Sequence, residues 1–92
     1  MTDQNVRIER LGSGQFRVRV VDAGTVHLVS IPADMTGDPA LGSDPESLVR
    51  ESFVFLLERE PATSILRSFS LDVIGRYFPE YPREIRRRLG MR

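Results

Sequence analysis

The sequence predicts an α+β protein, a small three-stranded antiparallel sheet followed by three to four short helices. Three observations predict it. Residues 6–20 alternate apolar and charged side chains with a period of two, the mark of a half-buried strand. Residues 48–57 carry apolar side chains at helical spacing. Prolines at positions 45, 61, 79 and 82 cut the second half into short pieces, with no long polar loop between them. The whole chain, residues 1–92, reads as one domain: a β-meander at about 5–32, a loop at 33–43 and a helical part at 44–90.

In the first strand Val6 and Ile8 alternate with Arg7 and Glu9. Gly12-Ser13-Gly14 supplies a hairpin turn, because glycine takes the positive φ that a tight turn requires. Phe16, Val18 and Val20 then form a buried face, with Arg17 and Arg19 on the other. Asp22-Ala23-Gly24-Thr25 is a second turn signal. Val26 to Ile31 is a third β-branched run, stopped by Pro32. It is apolar at both parities, so the pattern does not select its inward face.

Asp44 is predicted to cap the first helix, with Pro45 at its first position and Glu46 favourably placed against the helix dipole. Leu48, Val49, Ser52, Phe53, Leu56 and Leu57 form one stripe. Phe55 falls off that stripe and is expected to reach a second contact, an apolar contact with a partner. Pro61 ends this helix and heads the next, over 62–69, in which Ile65, Leu66 and Phe69 share a face. Ser70 is predicted to cap a third short helix, with Asp72 in its first turn and Ile74, Tyr77 and Phe78 on its buried side. Pro82 opens a last helix that keeps Ile85 and Leu89 inward and stops at Gly90. Phe53, Leu56, Leu57, Ile65, Leu66, Phe69, Ile74 and Phe78 are the predicted core.

The run FLLEREPATSILRSFSLDVIGRYFPEY, within residues 48–81, resembles the C-terminal half of a group of small bacterial proteins that have no assigned activity. The resemblance implies a bacterial origin and the β-then-α order. It carries over no functional residue.

The chain has no Cys, which removes disulfides, thiolate zinc sites and thiol nucleophiles together. No run approaches the ~18 apolar residues of a membrane-spanning helix, and MTDQNVRIER lacks the apolar core of a signal peptide. A cytoplasmic location is therefore expected. All 13 basic residues are Arg, as the codons of a GC-rich genome favour. Net charge is zero but polarised: residues 1–64 hold 6 Arg against 10 acids, and residues 65–92 hold 7 Arg against 3.

Catalytic chemistry finds little purchase. His27 is the single histidine, sits mid-strand and lacks a nucleophile or orienting acid near it in sequence, so a structural role is expected. Asp34, Asp38, Asp44 and Glu46 lack the spacing of a calcium loop and read as turn formers and a helix cap. Glu58 and Glu60, two apart at a helix end, point in different directions. Gly12-Ser13-Gly14 joins strand to strand and is no phosphate loop. No metal, cofactor or small-molecule substrate is implied. Arg83, Arg86, Arg87 and Arg88 on the last helix are the sharpest hint, as contacts to phosphate or to an acidic partner. The close succession of the helices expected over 62–69 and 71–78 resembles a helix-turn-helix, although the second shows few side chains suited to base edges. The expectation is a small non-enzymatic protein-interaction or regulatory module that binds another protein or itself. The alternative is a nucleic-acid-binding regulator using the arginine-rich helix.

Overall fold

A computed structural model describes residues 6–36 and 44–90. Strand β1 (Val6–Gly12), β2 (Gln15–Val20) and β3 (Thr25–Ser30) form the expected antiparallel meander. A short helix α1 (Ala33–Thr36) lies in the segment read as loop, and α2 (Pro45–Leu57) follows. The chain then makes one 3-10 turn (Ala62–Ser64) and a three-residue strand β4 (Ser68–Ser70). Helices α3 (Asp72–Tyr77) and α4 (Tyr81–Gly90) complete it. The architecture is α+β, with the strand order β1-β2-β3-β4.

The meander forms for the reasons its pattern gives. Gly14 and Gly24 both adopt φ 70° in the two turns, where a Cβ would be strained. Phe16, Val18 and Val20 are buried on one face, joined by Val6 from β1 and by His27, Val29 and Ile31. This settles the inward parity of β3: His27 and Val29 point to the helices, while Val26 and Leu28 point away. A register shift between Arg10 and Gly12 marks a bulge beside Leu11, which is exposed.

Two expectations about the second half are corrected. The segment after Pro61 is not a helix. Its first residues make a single 3-10 turn, and Ser68–Ser70 pair in parallel with β3, Leu28 opposite Ser68 and Phe69 beside Val29. The sheet is therefore four-stranded and mixed. Extended backbone turns Leu66 outward, so it is exposed at 48% instead of buried with Ile65. Tyr77, expected inward, is 68% exposed. Only Ile74 of α3 is fully buried, with Phe78 packed partly against the core.

Helix α2 is the centre of the helical layer. The Asp44 carboxylate accepts from the Glu46 backbone N–H at 3.1 Å and from the Ser47 hydroxyl at 2.8 Å. These bonds, the Ser47 hydroxyl first among them, hold the Asp44 carboxyl below the usual carboxylate range. Leu48, Val49, Ser52, Phe53 and Leu56 are buried as the stripe requires, with Leu57 packed partly against them. Helix α4 lies against α2 through Ile85, Leu89 and Tyr81. The Tyr81 hydroxyl and Ser52 Oγ are 2.7 Å apart inside this interface, and Ser52 Oγ also lies 2.7 Å from the Leu48 carbonyl. The carbonyl takes the Ser52 proton, so Tyr81 donates to Ser52.

Candidate interaction surface

Three of the residues singled out in the sequence are committed to the fold. Phe55 is completely buried. Its second contact is inside the molecule: its ring meets Phe78 and Tyr81 edge-on, with centroids 5.9 and 5.3 Å away. The Arg59 guanidinium lies over it at 3.6 Å. Helix α4 and Phe78 thus cover the side of α2 that the stripe left over, and the expected partner contact at Phe55 is corrected. His27 is also buried. Its Nδ1 is 2.8 Å from the Leu66 carbonyl and its Nε2 is 3.0 Å from Thr25 Oγ1. A carbonyl only accepts, so Nδ1 donates to Leu66, while Nε2 pairs with the Thr25 hydroxyl, which can serve either role. Both nitrogens are used in tying β3 to the chain entering β4. Among the described residues no group of three potential metal ligands comes together. Asp38 lies outside the described residues, as does the side chain of Asp34.

Arg88 is the third. Its side chain is only 16% exposed and is surrounded by carboxylates from two helices. It bonds Glu58 at 2.6 Å and lies 3.9 Å from Glu51 and 3.5 Å from Glu84. The reading of Arg88 as a phosphate contact is corrected to an interhelical ion cluster. Arg87 bonds Glu84 one turn away, and that pairing holds the Glu84 carboxyl below its ordinary range. Glu80 is lowered too, first by a backbone N–H bond and then by Arg59. Arg83 and Arg86 remain exposed on α4. Without a helix over 62–69, the helix-turn-helix expectation has no first helix.

The uncovered surfaces lie elsewhere. Helices pack on one face of the sheet, and the outer face carries Arg7, Glu9, Arg17, Arg19, Val26 and Leu28, all exposed. Arg17 bonds Glu9 at 2.7 Å. Arg7 and Arg19 stand directly opposite each other across β1 and β2, and among the described residues neither has an ion pair. Like charges so placed repel. Next to them Val26 and Leu28 are 43% and 45% exposed. Leu66, also exposed, lines a separate groove of about 400 Å³. Leu56, Ile65, Leu66, Ile74 and Tyr77 line it, and Glu60 is its charged group.

Sequence reasoning missed Val26, Leu28, Leu66 and Tyr77 as surface residues. The outward parity of Val26 and Leu28 had no signal, since the polar residue between them, His27, points to the opposite parity and is in fact buried. Leu66 and Tyr77 had none, since both fit helical faces.

No described helix is long and apolar enough to cross a membrane. No family model matches the chain, and no curated protein or solved structure matches it.

Proposed function

We propose that this chain is a small, non-enzymatic, cytoplasmic protein-interaction module of bacterial origin, and that it binds through the open sheet face and the groove at Leu66 and Tyr77. One observation carries the reading: large apolar side chains at Val26, Leu28, Leu66 and Tyr77 stay exposed, as do Leu11 and Val21 at the strand ends. The unpaired arginines Arg7 and Arg19 flank them, which favours an acidic partner on the sheet itself. The test is affinity capture with the wild type and a Val26→Asp, Leu28→Asp double variant, with sedimentation of both. A discrete protein, or a second copy of the chain, should associate with the wild type and be lost in a variant whose thermal unfolding is unchanged. Equal association in both would reject the surface.

A second reading, nucleic-acid binding, is supported by the exposure of Arg83 and Arg86. It draws on two residues where the sequence offered four. If it holds, duplex DNA binding should weaken with salt, and the Arg83→Ala, Arg86→Ala variant should flatten the slope by about 2 units, at about 0.9 per lost phosphate contact. No binding at low salt would reject it.

A further inference from the structure

The groove beside Tyr77 contains a carboxylate that the fold does not use. Glu60 is half-buried and lines the groove. Its backbone N–H is fixed to the Leu56 carbonyl at 2.9 Å, and Pro61 stiffens the chain just beyond. The neighbouring carboxylates are all held: Glu58 by Arg59 and Arg88, Glu80 by Arg59, Glu84 by Arg87 and Arg88. Among the described residues Glu60 has no ion pair and no side-chain hydrogen bond. Arginine is plentiful in this chain, yet among the described residues none lines this groove. The carbonyl end of α2 lies just before Glu60 and adds to the negative potential there.

We propose that this groove docks a partner segment that inserts an apolar side chain next to an arginine or lysine. The apolar group would sit against Leu66, Ile74 and Tyr77, and the cation would meet Glu60. A volume of about 400 Å³ holds a few side chains but not a whole helix. Desolvation by the apolar walls makes the single carboxylate more selective than it would be on an open surface. The sheet's arginines repel the same segment from the other exposed apolar surface, which directs it to this end. This deepens the interaction-module reading and rests on it.

The experiment is an amide-resolved NMR titration of the full chain with two capped tripeptides, acetyl-Phe-Arg-Leu-amide and acetyl-Phe-Glu-Leu-amide. The basic probe should shift the amides of Leu66, Val73 and Tyr77, and the acidic probe should not. Glu60→Gln should weaken the basic probe about fivefold. Tyr77→Ala, a change at an exposed residue, should weaken both its affinity and its shifts while leaving the remaining spectrum in place. The proposal is overturned if both probes shift the groove equally, if neither does, or if Glu60→Gln binds as well as the wild type. Concentration-dependent shifts at the groove with no probe present would assign it to a second copy and also overturn it. Capture that is lost on changing Val26 and Leu28, with no response of the groove to the basic probe, rejects the groove alone and leaves the module reading standing.

Discussion

The Tyr81 hydroxyl donates to Ser52 Oγ across the α2–α4 interface at 2.7 Å, with both residues out of reach of solvent. Burial pushes the Tyr81 phenol up to about 12, because a phenolate there would lose its hydration. The folded state therefore holds this proton more tightly than the unfolded chain. That contribution is complete below pH 10 and is lost as the pH rises from about 10 to about 12. Denaturant unfolding should show stability falling across that window, by up to ~1.4 kcal/mol per pH unit. Tyr81→Phe should flatten the fall. An equal fall in the variant would place the alkaline sensitivity elsewhere.

Ser52 has a sharper role than its partner. Ser52→Ala leaves the Tyr81 hydroxyl buried without its acceptor and should cost about 1–3 kcal/mol. Tyr81→Phe leaves Ser52 bonded to Leu48 and should cost less. Chemical denaturation at neutral pH gives the order, and a reversed order would contradict the donor assignment.

Asp44→Ala should cost about 1 kcal/mol through the loss of a helix cap. Asp44→Asn should recover most of it, since an amide oxygen can still accept from the Glu46 N–H. Paired thermal melts distinguish the two. An alanine variant as stable as the wild type would mean that Pro45 alone starts the helix.

Arg88 and Arg83 stand five residues apart on one helix and should behave differently. Arg88→Ala removes the cation that Glu58 and Glu84 share across the two helices and should destabilise by about 1–3 kcal/mol. Arg83→Ala, at an exposed site, should change stability by about 0.5 kcal/mol or less. Equal effects on the melting temperature would argue against the ion cluster.

Leu56→Ala should cost about 2–5 kcal/mol, because it empties a packed site. Leu66→Ala should cost about 0.5 kcal/mol or less at its exposed position. This pair of variants separates the observed outward turn of Leu66 from a helix that would have buried it.

The elements that the sequence made legible are those whose signals are local. The alternation of β2, the glycines of the two turns and the Asp44-Pro45 start of α2 each act within a few residues. The parts that were not legible depend on distant partners. Strand β4 has three residues, and Leu28 and Ser68 pair across forty positions. Ile65, Leu66 and Phe69 fit a helical face equally well, and only pairing with β3 decides against it. Phe55 falls off the stripe that α2 shows by itself, and α4 supplies the second face. Arg88 carried no local mark of its role, since Glu51 and Glu58 come from another helix. The groove was illegible for a related reason. Glu60 resembles any other helix-end glutamate until the arginines around it are seen to be occupied.

The parallel pairing of β4 also bears on the order in which the chain assembles. The three-strand meander closes through two short turns, so its contacts form at little cost in chain entropy. Strand β4 pairs with β3 across about forty positions, with α1 and α2 between them, and closing so long a loop costs more chain entropy. Once docked, it is held by three residue pairs and by the His27 bond to Leu66. The end of the molecule that bears the groove is thus fastened to the sheet by the shortest seam in the fold. Hydrogen exchange should find it opening before the meander does, with the Leu28 and Leu71 amides, which bond Arg67 and Ser30, exchanging earlier than those within the β1–β2 hairpin.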